Sequence, residues 1–214
     1  YNGRFTSFNL EREEWSACPE PAGDRIWPRY FSAMGYNPEE NALYIYGGMG
    51  NESGEQIVGR QYFHDLHKVQ LPDFTIEKKW SLDSPSEGNT VAARNMVLDG
   101  EDHFYVLCYP ESETESELQL TRFAISDGSR EELGNTIPIF SDKITTNANL
   151  FLDETLGKLI AIVEESRDDI SSSVKCYSID FPPKPPLKEK AAGKGLPLQW
   201  IILGLTVIAA GWGG

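Results

Sequence analysis

The sequence predicts an all-β fold of repeated antiparallel units followed by one membrane-spanning helix, and three observations carry that expectation. The composition is 40% hydrophobic and 11% aromatic with 13 prolines and 19 glycines, a balance of turn formers and aromatics that fits strands better than a helical bundle. Short apolar runs recur along the chain in the same local grammar. Residues 196–214 form an uninterrupted uncharged stretch at the end.

A fixed repeat period decides the architecture. Three runs, Leu43-Tyr44-Ile45-Tyr46, Phe104-Tyr105-Val106-Leu107 and Leu159-Ile160-Ala161-Ile162, each follow a polar turn. Those turns are Asn37-Pro38-Glu39-Glu40-Asn41, Asp99-Gly100-Glu101-Asp102 and Asp153-Glu154-Thr155-Leu156-Gly157-Lys158. Before each turn lies another strand-like run, at 30–36, 95–98 and 149–152, so each unit opens with a hairpin. After a polar insertion a third strand follows, at 65–71, 120–126 and 175–181, and these starts are 55 residues apart. That spacing is close to the ~40–50 residues of a four-stranded propeller blade. Arg4-Phe5-Thr6-Ser7-Phe8-Asn9-Leu10 alternates like the later third strands, and Trp15 follows it as Trp80 follows Leu71, so residues 1–15 are expected to be the tail of an earlier blade.

The unit from Arg29 to Trp80 contains Asn41-Ala42-Leu43-Tyr44-Ile45-Tyr46-Gly47-Gly48, a Gly-rich insertion, Tyr62-Phe63-His64-Asp65-Leu66-His67-Lys68-Val69 and finally Trp80. This resembles the Kelch motif, with its double glycine after an apolar strand, an aromatic and a distant Trp. Glycines there permit backbone angles and close approaches that a side chain forbids. The double glycine becomes Cys108-Tyr109 in the second unit and Val163-Glu164 in the third. The resemblance implies that residues 1–181 are about three and a half four-stranded blades of a partial Kelch-like, galactose-oxidase-like β-propeller. Closed propellers have about 4 to 8 blades, so further blades are expected upstream of Tyr1, where neither an initiator Met nor a signal-type run stands.

Residues 182–195 read as a Pro/Lys-rich linker, Pro-rich and hence extended. Residues 196–214, with Gln199 and Thr206 as clear polar exceptions, have about the length needed to cross a bilayer. Trp200 and Trp212 near the two ends suit interfacial anchors. Lys184, Lys188, Lys190 and Lys194 precede the span and by the positive-inside rule favour a cytoplasmic propeller. A C-terminally anchored propeller instead resembles bacterial sensors with an extracytoplasmic, periplasmic propeller and a cytoplasmic output domain, and that orientation is the expectation retained.

Several chemistries find little footing. The 33 acidic and 19 basic residues give a formal charge of -14, which repels phosphate backbones and argues against nucleic acid as a partner. Cys18, Cys108 and Cys176 form an odd set without CxxC spacing, against a zinc site or a disulfide framework; Cys108 and Cys176 are not expected to bond to each other. Galactose oxidase needs a copper site, but among three histidines His64 and His67 are placed to face opposite sides of a strand and His103 sits beside a turn. Pro110-Glu111-Ser112-Glu113-Thr114-Glu115-Ser116-Glu117 lacks the spaced ligands and Gly of a calcium loop. Gly47-Gly48-Met49-Gly50 is a blade turn, with no Lys-Ser/Thr and helix to make a phosphate cradle. Asn51-Glu52-Ser53 matches a glycosylation sequon by pattern alone. No catalytic, cofactor-binding or metal-binding residue is therefore assigned, and an enzyme is not expected.

The insertions at 47–60, 110–117 and 164–173 are expected to gather on one face and form the binding face. The function expected is a membrane-anchored ligand-binding or sensor propeller, passing a signal through the span to a C-terminal output domain. Its partners would be a small-molecule, glycan or protein ligand at the insertion face and membrane lipid around 196–214. The alternatives are a membrane-tethered Kelch interaction module without signalling and, more remotely, a galactose-oxidase-like enzyme.

Overall fold

The structure is a computed structural model that describes residues 5–54, 59–82, 89–140, 147–166 and 171–185. Every helix-or-strand element among these residues is a strand, so the described part of the chain is all-β. The expected helix at 196–214, with most of its linker, lies outside the described residues. Among the described residues no helix is long and apolar enough to cross a membrane.

The chain begins with a hairpin of β1 (Thr6–Asn9) and β2 (Glu14–Ala17). The short β3 (Ala22–Gly23) and β4 (Arg29–Tyr30) lead into the first full antiparallel meander. Its strands are β5 (Ala33–Asn37), β6 (Ala42–Tyr46), β9 (Asp65–Gln70) and β10 (Thr75–Ser81), with β3 added in parallel beside β10. Between β6 and β9 the insertion forms β7 (Met49–Gly50) and β8 (Gln61–Tyr62), which join β4 in a separate small sheet.

The second meander runs from β11 (Thr90–Ala92) and β12 (Val97–Asp99) through β13 (His103–Pro110) and β14 (Glu115–Ala124) to β15 (Arg130–Phe140). β11 and β12 both pair with β13, as one first strand interrupted at residues 93–96. The third sheet is β16 (Asn147–Asp153), β17 (Lys158–Ser166) and β18 (Ser172–Asp180). It shows three strands among the described residues where four were expected. The runs Leu43 to Tyr46, Phe104 to Leu107 and Leu159 to Ile162 are thus the second strands of three separate, successive sheets.

Local chemistry repeats with the topology. Asn37 and Asp153 open the first turns of their sheets by accepting backbone N–H groups two to three residues on (Glu39 and Glu40 at 2.9 and 3.2 Å, Leu156 at 3.0 Å), as Asx residues do. Each hairpin then needs one residue at positive φ, supplied by Asn41 (50°), Gly100 (61°) and Gly157 (59°). At the end of each third strand a backbone N–H returns to that turn: Leu71 to Asn41 (3.0 Å), Ile125 to Asp102 (2.8 Å), Phe181 to Gly157 (3.0 Å). Tyr44 and Tyr105 occupy the same strand position, and each hydroxyl donates to the turn's carboxylate, Glu40 at 2.6 Å and Asp99 at 3.2 Å. Burial, with the acidic neighbour adding to it, raises both phenol pKa values.

Alternation decides which side of each sheet is buried. Tyr44, Tyr46 and Leu66 of the first sheet meet Phe104, Val106 and Phe123 of the second in one apolar layer. Trp80 closes it, stacked at 6.4 and 6.2 Å on Phe104 and Phe123 and donating its indole N–H to Ile125 O at 3.0 Å. The opposite face of the second sheet (Tyr105, Leu107, Leu118, Leu120, Leu133) packs on Ala148, Leu150, Leu159, Ala161 and Val163 of the third.

The first strands of neighbouring sheets are also joined. Met34 N–H donates to Arg94 O (3.1 Å) and Met96 N–H to Met34 O (3.2 Å). The Asn95 amide turns the other way, accepting from Leu150 N–H at 2.9 Å and donating to Leu150 O. This double duty explains why β11 and β12 are broken apart: residues 94–96 leave the β13 ladder to bridge both neighbours.

Candidate functional site

The double glycine is where the first insertion leaves its sheet, and its geometry explains why side chains are excluded. Gly47 and Gly48 sit at φ 67° and 100°. A Cβ on Gly48 would lie 2.8 Å from Tyr30 O, and one on Gly50 only 2.1 Å from Pro28 O. Both contacts are with backbone that β4–β7 pairing fixes, so there is no flexible tip to yield. Gly50→Ala is expected to cost about 1–3 kcal/mol, as an overpacked site does. The loss is read as the drop in the urea unfolding midpoint of the variant relative to the native chain.

A buried ion pair clamps this turn. Arg29, at the start of β4, donates Nη1 to Asp65 Oδ1 at 2.5 Å and Nη2 to Asp65 Oδ2 at 3.2 Å, a bidentate fork. The same guanidinium reaches Gly47 O at 3.1 Å and lies 4.2 Å over the Phe63 ring. Its side chain is 4% exposed and that of Asp65 6%. Beside them His67 is fully buried with Nδ1 3.8 Å from Asp65 Oδ2, and both ring nitrogens lack a hydrogen-bond partner among the described residues. Burial lowers its pKa to about 4, Asp65 opposing and Arg29 adding to the shift.

The first two insertions meet. Tyr62 of β8 donates its hydroxyl to Glu111 Oε2 at 2.9 Å, with Arg60 4.0 Å from the same oxygen. Burial, then Glu111, raises the Tyr62 pKa. Adjacent to the second insertion, between the ends of β14 and β15 and those of β17 and β18, lies an open cleft of about 900 Å³. Glu113, Glu115, Glu117, Glu132 and Glu165 line it together with Lys175, over an apolar floor that includes Pro138, Ile139 and Phe140. Glu165 is 3% exposed; it accepts from Phe140 N–H at 3.2 Å and pairs with Lys175 at 2.6 Å. Four further carboxylates thus face the cleft, whose lysine already has an anionic partner.

The insertions 47–60 and 110–117 do come together, though residues 55–58 lie outside the described set, as do 167–170 of the third insertion. His67 is core, while His64 and His103 are half-buried and far apart in the strand order. Among the described residues no group of three or more His, Cys, Asp or Glu converges to hold a metal ion. Asn51 of the sequon is 7% exposed, with its Oδ1 taking the Ser53 hydroxyl at 2.9 Å, so the triplet makes a turn. All three cysteines are thiols, Cys108 buried and Cys176 exposed.

Sequence reading missed the Arg29–Asp65 clamp and the buried Glu165. Arg29 and Asp65 are 36 residues apart, and nothing local announces their pairing. Glu165 did leave a signal, since the alternation Leu159, Ala161, Val163 continues to it and places it on the buried face. No protein-family model matches the chain, and no curated protein matches it.

Proposed function

We propose that the sheets are Kelch-type propeller blades and that the insertion-bearing end is a ligand-binding face, tethered to a membrane through 196–214 as the extracytoplasmic part of a sensor. What supports the blade reading is the relation between sheets: three successive antiparallel meanders pack face to face, and their first strands are hydrogen-bonded side by side. Blades around a common axis place their innermost strands in this way.

The binding reading rests on one observation, the carboxylate-lined cleft beside the joined first and second insertions. Carboxylates are acceptors only, so the ligand they suit carries hydroxyl or ammonium donors, as a glycan or a basic peptide does. Signal transfer through a single span to an output domain completes the reading.

The test is a binding screen of the chain in neutral detergent against a glycan array and a set of lysine-bearing peptides. A triple variant, Glu113→Gln, Glu115→Gln and Glu117→Gln, serves as the control because these side chains lie on the rim and their loss should not unfold the sheets. Binding by the native chain that weakens at least tenfold in the variant supports the site; equal binding by both, or none by either, defeats it. For the tether, a soluble reporter fused to 182–214 is expected in the carbonate-resistant membrane fraction, and its recovery as soluble protein would remove the membrane and sensor parts of the reading.

A further inference from the structure

We infer that Tyr62, with Arg60 beside it, is a positioning residue of the carboxylate-lined cleft: from the first insertion it anchors a hairpin end of the second sheet that the hairpin's own strands do not hold. This role presupposes the ligand reading of the cleft and adds to it the group that sets where the carboxylates stand.

β13 and β14 pair from His103 and Ala124 up to Cys108 and Gln119, and there their ladder ends. Beyond that point the two strands part. Tyr109 and Pro110 stay with β11, opposite Val91 and Thr90. Residues 115–118 instead lie along β15, from Leu118 opposite Ile137 to Glu115 opposite Phe140. A hairpin turn is ordinarily held by the hydrogen-bonded strands that run up to it. Among the described residues the turn at 111–114 has no such ladder. The cleft is lined from both arms of this opening, by Pro110 on one and by Glu115 and Glu117 on the other, with Glu113 on the turn itself. The position of the turn therefore decides how Glu113 meets a ligand and how wide the opening stands.

Glu111 begins the turn and is the point at which it is fastened. Its N–H donates to Asn89 O at 3.1 Å, and its carboxylate, on a side chain 5% exposed, accepts the Tyr62 hydroxyl at 2.9 Å with Arg60 4.0 Å from the same oxygen. The Tyr62 side is rigid. Its ring packs against the buried cluster to which Val91 and Tyr109 belong, and its strand is paired through β7 to β4, where the Arg29–Asp65 fork clamps the chain. A buried carboxylate that loses its donor keeps its desolvation cost. Without the Tyr62 hydroxyl, Glu111 is driven toward water, and the turn goes with it.

The experiment uses the full 214-residue chain in neutral detergent and two readouts, backbone amide exchange and affinity for the tightest binder from the glycan and lysine-peptide sets. Tyr62→Phe keeps the ring and removes the hydroxyl. It is expected to speed exchange at 111–114 by about tenfold, to leave 103–108 in the ladder unchanged, and to weaken the ligand by about fivefold or more. Glu111→Ala should do the same, and the double variant should be no weaker than either single one, because both delete one contact. Glu111→Gln, whose amide oxygen still accepts the hydroxyl, should recover most of both losses, a rescue that a packing role alone would not show. Unchanged exchange at 111–114 in Tyr62→Phe would mean that the turn is held elsewhere and would overturn the inference, leaving the ligand reading intact. Faster exchange with native affinity overturns it too, as does a Glu111→Gln variant no better than Glu111→Ala. If no probe binds the native chain, the ligand reading fails and the positioning role falls with it.

Discussion

Asp65→Ala is expected to lower the stability of the sheet stack by about 3–5 kcal/mol, the cost of breaking a buried pair and leaving one charge behind. The Arg29 guanidinium, 4% exposed, would keep Gly47 O and the Phe63 ring but lose the carboxylate that its fork holds. Against the ~5–15 kcal/mol that holds a typical domain together, this is a large fraction. Urea unfolding should show a lower midpoint with an unchanged slope, since the surface exposed on unfolding is the same. Replacing both partners, Arg29→Met with Asp65→Leu, should recover much of the loss, because an apolar pair of similar volume carries no desolvation cost. If the single and double variants fall equally, packing and not charge is what the pair supplies.

Acidification should weaken the same region through His67. Its unfolded pKa is ~6.5 and burial lowers the folded value to about 4, so between these values the unfolded chain binds a proton that the folded chain refuses. Stability therefore rises with pH across that window: the contribution is complete above pH ~6.5 and is lost as pH falls toward 4. At ~1.4 kcal/mol per pKa unit the full effect is about 3 kcal/mol. The charged groups acting on the imidazole are Asp65 and Asp24 on one side of the balance and Arg29 and Lys78 on the other. His67→Leu should flatten the stability profile between pH 4 and 6.5 by about one proton, and it removes two buried nitrogens that have no hydrogen-bond partner among the described residues. A profile as steep in the variant as in the native chain would show that other groups titrate there.

Much of the fold was legible because its signals are local. Asn37, Asp99 and Asp153 mark the hairpin turns, and the continuous apolar runs Leu43 to Tyr46 and Leu159 to Ile162 mark strands with two apolar faces, each buried where a neighbouring sheet covers it. The double glycine was legible for the same reason, since a positive φ is a property of one residue. Other elements were not, because their cause lies elsewhere in the chain. β3 exists through Thr75 and Ile76 beside it, and the break between β11 and β12 exists because residues 94–96 bridge Met34 on one side and Leu150 on the other. In the candidate site, the acidic 111–117 run was visible as composition, but its enclosure by Glu132, Glu165 and Lys175 comes from strand pairing at long range.

The bridge at residues 94–96 also bears on how the stack comes apart. In an array whose units touch only through side chains, each unit can melt with a penalty set by the lost interface. Here the backbone of Met34 and the side chain of Asn95 carry hydrogen bonds from the first sheet to the second and from the second to the third. Opening either end sheet breaks these hydrogen bonds and hands their groups to water, a net loss of about 0.5–1.5 kcal/mol per bond on top of the lost packing. Nearest-neighbour coupling is strengthened accordingly, so partly melted states are disfavoured and the three sheets are driven to unfold as one cooperative unit.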